Sequence, residues 1–223
     1  LDAADGKVIS YKGKNNGNEG MTYLDVLDAS DEKDVKFDIL IHKIYDREKA
    51  IGESIYNFSV YGSHIYLMVR TDNTDGGSVL TMEKYGLDGS YIGSWRVNDE
   101  IIGWLGGERI SDFEIFGDFG FMTNFSGGGV VFRITSDELI PEFSKEMDLD
   151  IALPADNVSG DYAILFSRYT GEIYRLDISA GTLYQLDLPY ERLNYIYMSN
   201  DNQILISSDT ILYGEIAQFR HIG

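Results

Sequence analysis

The sequence predicts an all-β repeat protein, and three observations predict it. First, the stretch from Ser54 to Val97 holds four runs rich in apolar, β-branched and aromatic residues: SIYNFSVYG, SHIYLMVRT, SVLTMEKYGLDG and SYIGSWRV. Each is closed by Gly, Asp or Asn, and runs so bounded read as successive antiparallel strands. Second, the stretch repeats. Adding 55 to its positions sets Ile55 against Ile110, Phe58 against Phe113, Val60 against Ile115, Gly62 against Gly117, Tyr66 against Phe121 and Leu67 against Met122. Third, no segment carries a sustained 3.6-residue period, so helix content below about a tenth is expected. A four-stranded antiparallel unit of about 45 residues is the size of one β-propeller blade. The fold expected is therefore a β-propeller of about five four-stranded blades, incomplete or part of a larger ring.

Along the chain, KVISYK (7–12) reads as a strand, GKNNGNEG (13–20) as a polar turn, and MTYLDVLD (21–28) and VKFDILIHKIYD (35–46) as two more strands around the charged turn 29–34. Beyond the central unit, IIGWLGGE (101–108) reads as a connection between blades. The next copy runs through FMTNF, a glycine turn at 127–129 and VVFRIT (130–135). SDELIPEFSKEMD (136–148) is ambiguous: Ser136 can cap a short helical turn, which Pro141 would end. DYAILFSR (161–168) and GEIYRLDIS (171–179) flank a two-residue turn, followed by GTLYQLDL (181–188). LNYIYMS (193–199), NQILISS (202–208) and ILYGEIAQF (211–219) form the last copy. No linker separates these copies, so residues 1–223 read as one domain. By this count the first blade lacks an innermost strand and the last an outermost one. Unpaired edges invite aggregation, so the two ends are expected to meet, with Val8–Tyr11 packed in or against the blade of Ile211–Phe219.

The pattern IYLMVRTDNTDGGSVLTMEKYGLDGSYIGSW (65–95), with Asp72-Asn73 at its first turn and Asp88-Gly89 at its second, resembles a blade of the NHL-like, six-bladed type of bacterial propeller. The resemblance covers one blade well and residues 109–135 and 161–188 in part. The arginine usual in that family's second strand is missing, as are WD, kelch, YWTD and Asp-box signatures. What the resemblance implies is a ring of four-stranded sheets whose loops bind ligands or partner proteins; it implies no reaction.

The net charge of −19 and pI near 4.3 make phosphate backbones and anionic lipid heads poor partners, so neither nucleic acid nor a membrane surface is expected. With 0 cysteines, disulfides, thiolate catalysis and cysteine metal sites are excluded. No run reaches the roughly 18 apolar residues of a membrane span, so no membrane insertion by this chain is expected. A cysteine-free, acidic, Tyr-rich chain fits an exported bacterial protein (extracellular, cell-surface or periplasmic), and the start at Leu1 suggests a removed leader.

Catalytic chemistry finds little support. TDNTDGG (71–77) lacks the carboxylates a calcium loop needs at its first and twelfth positions, where Thr71 and Met82 stand. The glycine runs at 106–107 and 127–129 lack the lysine of a phosphate cradle. His42, His64 and His221 have no companions at ligand spacing, so no metal and no cofactor is expected. Asp112 and Glu114 stand two apart on a strand and share a face, as paired carboxylates of a glycosidase would, although a solvated polar face explains them as well.

Aromatic residues are the more suggestive set. Trp104 lies between glycines, Trp95 ends a strand, and Tyr184, Tyr190, Tyr195 and Tyr197 form a second concentration. The sequence thus reads as a non-catalytic module binding a protein or carbohydrate ligand, with Trp104, Tyr190, Tyr195, Asp112 and Glu114 as candidate ligand-binding residues. Two rival readings are a glycoside hydrolase or lyase with axial carboxylates, and a structural module of a surface or solute-binding lipoprotein. Trp104 is expected at a concave surface or interface rather than in the deepest core, because its indole N–H needs a polar partner.

Overall fold

The structure is a computed structural model. It describes the backbone of residues 2–4, 7–16, 19–28, 35–43, 45–46, 51–73, 76–125, 128–145, 149–152, 162–167, 170–186, 195–198, 204–207, 212–214 and 219–221, with side chains at 55–73, 76–125, 128–143, 151, 162–167 and 170–185. By Cα proximity the chain divides into two compact units, the first of Leu1–Asn98 with Ser136–Leu139, the second of Asp99–Thr135 with Ile140–Gly223.

The described strands form five successive antiparallel sheets. The first is β1 (Asp2–Ala4), β2 (Lys7–Asn16), β3 (Glu19–Asp28) and β4 (Val35–Lys43), in that order. The second is β5 (Tyr45–Asp46), β6 (Ile51–Tyr61), β7 (His64–Asp72), β8 (Ser78–Gly86) and β9 (Tyr91–Arg96). One helix, α1 (Asp99–Leu105), precedes the third sheet of β10 (Ile110–Phe116), β11 (Phe119–Asn124), β12 (Gly129–Ile134) and β13 (Leu139–Lys145). The fourth takes β14 (Leu149–Ala152), β15 (Tyr162–Ser167), β16 (Ile173–Asp177) and β17 (Thr182–Leu186), and the fifth β18 (Tyr195–Met198), β19 (Ile204–Ser207) and β20 (Leu212–Gly214). The last strand, β21 (Phe219–His221), returns to the outer edge of β17. Consecutive antiparallel meanders of about four strands are propeller blades, so the chain is an all-β protein of β-propeller type.

The 55-residue repeat is reproduced bond by bond. Phe58 pairs with Leu67 and Phe113 with Met122. Both copies carry a bulge one step earlier, between Ile55 and Asn57 and between Ile110 and Asp112. A bulge strands the backbone amide beside it. In the first copy the Phe58 N–H donates to its neighbour Asn57 Oδ1 at 2.8 Å, and in the second the Phe113 N–H donates to Asp112 Oδ1 at 2.9 Å. Both hairpins then turn on a glycine with positive φ, Gly62 at 57° and Gly117 at 64°, a conformation that costs a residue with a Cβ.

Burial follows the repeat. In the second sheet Ile65, Leu67 and Val69 alternate along β7 and pack with Val60, Tyr85 and Leu87, with Ile55 and Phe58 at the margin. In the second unit Phe116, Phe119, Phe121 and Val131 of the third sheet pack against Ala163, Leu165, Tyr174 and Leu176 of the fourth. The third sheet tolerates no side chain at Gly120, where an added Cβ would run into the ring of Phe132.

Several expectations need correction. Asp2–Ala4 pairs with Lys7–Ile9, so among the described residues a strand precedes β2 in the first sheet, where none was expected. The expected turn at 13–20 is mostly strand, since β2 runs to Asn16 and β3 starts at Glu19. The connection at 101–108 opens as α1, and residues 139–145 are strand rather than helix, with Pro141 tolerated in the outermost strand of its sheet. The turn after β15 is longer than two residues, being closed by the Ser167 N–H to the Glu172 carbonyl at 2.9 Å. ILYGEIAQF is not one strand: β20 and β21 divide it between two sheets.

Candidate functional site

The helix α1 explains how Trp104 is displayed. Asp99 and Glu100 occupy its first turn, favourable against the helix dipole, and Ile101 and Leu105, four apart, turn one stripe inward. The helix then stops in a Schellman arrangement: Gly106 N–H bonds to the Gly103 carbonyl and Gly107 N–H to the Ile102 carbonyl, each at 3.2 Å, with Gly106 at φ 74°.

Asn124, at the end of β11, fastens this helix end. It is buried, and its Nδ2 donates to the Leu105 carbonyl. Its Oδ1 accepts the Gly128 N–H at 2.8 Å, while its own N–H donates to the Gly128 carbonyl at 2.9 Å. One amide side chain thus joins the helix to the β11–β12 turn. Gly128 must be glycine here, because an added Cβ would collide with the Leu105 carbonyl.

The clasp places an exposed aromatic residue on each side of itself. Trp104 precedes Leu105 and is 38% exposed; Phe125 follows Asn124 and is 77% exposed. Added Cβ atoms at Gly103 and Gly107 would meet nothing within 4 Å, so the backbone on either side of Trp104 is uncrowded at these two positions. An aromatic platform with glycine neighbours can take a cation, an apolar side chain or a sugar face.

The other candidate residues are not all brought together. Asp112 faces Thr123, one step from Asn124, but its Oδ1 is engaged by the bulge amide. Glu114 faces Phe121 further along β10, half-buried on the same alternating face as Asp112. Tyr195 and Tyr197 lie in β18, where only the backbone is described, and Tyr190 lies outside the described residues. Tyr184 is half-buried in β17 opposite Arg175 and His221, and Trp95 is half-buried in β9. Phe125 and Asn124 escaped the sequence reading; the Gly-rich segment just after them was the available signal.

A second feature of this unit is a cleft of about 50 Å³ between the third and fourth sheets, lined by Phe119, Val131, Glu142, Leu165, Leu176 and Leu183. That volume suits a few water molecules and is far below the hundreds of Å³ of a small-molecule pocket. Arg133 lies beside it, its Nε bonded to Glu142 at 2.6 Å and its guanidinium 5.0 Å above the Phe119 ring. Among the described residues no group of three or more His, Asp or Glu gathers as a metal site, and no helix is long and apolar enough to cross a membrane.

No protein-family model matches the chain, and no curated protein matches it. Among solved structures it is similar to the β-propeller domain of Myceliophteria thermophila Cps50 (Swd1), with a TM-score of 0.48 and 10% identity over 98% of this chain and 72% of that one. It is also similar to PorZ, a bacterial surface component of the type-IX secretion system of Porphyromonas gingivalis, with a TM-score of 0.43 and 11% identity over 96% of this chain and 32% of that one. A third is Kuenenia stuttgartiensis hydrazine synthase, at a TM-score of 0.37 and 11% identity over 86% and 70% of the two chains. The propeller assignment stands on the sheet order and register described above.

Proposed function

We propose that this chain is a non-catalytic binding module that engages a partner protein through the exposed aromatic residues Trp104 and Phe125. The observation that carries this reading is the clasp: a buried asparagine and two obligatory glycines hold a solvent-exposed Trp on the surface, where burial would otherwise be favoured. Trp, with Tyr and Arg, is enriched among the residues that dominate binding at the centres of protein interfaces. The charge of −19 favours a partner whose contacting surface is cationic, with a Lys or Arg head over the indole face. Composition supports an exported or surface location, and the Asp88–Gly89 turn supports kinship with the NHL-like propellers.

The test is a titration with an arginine-rich peptide, followed by fluorescence anisotropy of a label on the peptide. Binding should weaken at least tenfold in Trp104→Ala at an unchanged thermal midpoint. Equal binding by the variant would mean that charge alone attracts the peptide, and would reject the site. Trp104-dependent binding of neutral oligosaccharides, with none of the peptide, would move the reading to a carbohydrate module.

A further inference from the structure

The outer edge of β9 has the features of a docking strand, and they are independent of the Trp104 patch. β9 is the last strand of the second sheet and pairs only with β8 among the described residues. Its burial pattern is unusually open: Tyr91 is 59% exposed, Ile92 50%, and Ser94 and Arg96 are exposed as well.

The direction of its backbone groups follows from register. The Val97 N–H donates to the Leu80 carbonyl at 2.8 Å, just beyond the pair Thr81–Arg96. Hydrogen-bonded and non-bonded pairs alternate along an antiparallel ladder. Trp95 and Gly93, opposite Met82 and Lys84, therefore turn their amides towards β8, and Arg96 and Ser94 turn theirs outward. The bulge at Ile92 ends this regular stretch at Gly93. What remains is a short ladder of two outward-facing residues, with two large apolar side chains exposed beside it.

The chain itself shows what such an edge accepts. β17 holds the corresponding last position in the fourth sheet's meander, and there β21 adds antiparallel, with Leu186 opposite Phe219, Gln185 opposite Arg220 and Tyr184 opposite His221. A three-residue strand with an aromatic residue and two basic-type side chains thus completes one outer edge, while the equivalent edge of β9 stands open among the described residues. Three residues are also the span from Ser94 to Arg96.

We propose that the outer edge of β9 binds an extended segment of a partner protein by strand addition, the segment carrying an apolar side chain and net positive charge. Main-chain hydrogen bonds to Ser94 and Arg96 supply the attraction, and Tyr91 and Ile92 supply apolar contact for alternate side chains of the incoming strand. The positive charge follows from the −19 of the whole chain, which also disfavours a second copy as occupant.

The probe is the capped heptapeptide AQFRHIG, the sequence of residues 217–223, added to the full chain. Hydrogen exchange by NMR should show the Ser94 and Arg96 amides slowed at least fivefold at millimolar peptide, with the Gly93 and Trp95 amides unchanged. No slowing at Ser94 and Arg96 would overturn the proposal. Ser94→Pro removes one outward N–H and leaves the β8 ladder intact, and the preceding Gly93 has no Cβ to clash with the proline ring. Peptide binding to this variant should fall at least tenfold at a retained thermal midpoint; unchanged binding would overturn the proposal. Should Ser94→Pro fail to fold, the peptide methylated on its backbone amides serves on the native chain: loss of protection supports strand addition, and undiminished protection overturns it. Protection of Ser94 and Arg96 without peptide, in a dimer seen by sedimentation, would assign the edge to self-association instead and overturn the partner reading.

Discussion

Asn124 shows how much one side chain can fix. Its amide serves the Leu105 carbonyl and the Gly128 N–H at once, and both are backbone groups with few alternatives at a helix end and a tight turn. Asn124→Ala leaves both without this partner, and a buried polar group left unsatisfied costs about 1–3 kcal/mol. We expect a loss of that size in chemical denaturation, together with a red shift of Trp104 emission as α1 loosens; a loss below about 0.5 kcal/mol would show that the clasp is incidental. His64 offers a second residue-scale test. Burial, and then the positive charge of Lys84, hold its pKa below the ordinary 6.5, so the folded state disfavours the imidazolium. The unfolded chain binds the proton first as pH falls, and stability is lost below about 6.5. Against the titration of the many carboxylates, the sign appears in a difference: His64→Gln should lose less stability than the native chain between about pH 7.5 and pH 5.5.

The element scale is where sequence and structure agree best. Apolar alternation and turn glycines recur at an offset of 55, and register, bulge and hairpin recur with them. The bulge also accounts for Asp112, which stands where the first copy has Asn57 and makes the same local hydrogen bond. If that bond is the reason for its presence, Asp112→Asn should be neutral in stability, and Asn57→Ala and Asp112→Ala should each cost about 1 kcal/mol. A large effect of Asp112→Asn on ligand binding, with stability unchanged, would instead return Asp112 to the list of ligand contacts. Other elements were harder to read. The signals of α1 are all present, with acidic residues at 99–100, apolar residues at 101, 102 and 105 and glycines at 106–107, but seven residues give barely two turns of periodicity. Asp2–Ala4 carries no apolar alternation, and its strand character comes from its pairing with β2. The break between β20 and β21 depends on which neighbouring edge is open, and local pattern holds no record of that.

At the scale of the whole molecule, composition was informative about charge and uninformative about the site. Apolar repetition specifies sheets, whereas Phe125 and Trp104 become neighbours of one hydrogen bond only after α1 and the β11–β12 turn have folded. Charge has consequences of its own. A net −19 spread over 223 residues destabilises any compact state by self-repulsion, because 37 acidic side chains face only 18 lysines and arginines. Screening lengths shrink from about 30 Å at 0.01 M salt to below 10 Å above 0.15 M, so added NaCl should raise the thermal midpoint steadily over that range. Binding should respond with the opposite sign, since the attraction of a cationic partner to an acidic surface is screened by the same ions. Measured on one preparation, the melting point should rise with NaCl while affinity for the arginine-rich peptide falls. A falling melting point would show that specific ion pairs outweigh the net charge, and salt-insensitive peptide binding would place the attraction in the aromatic contact of Trp104 alone.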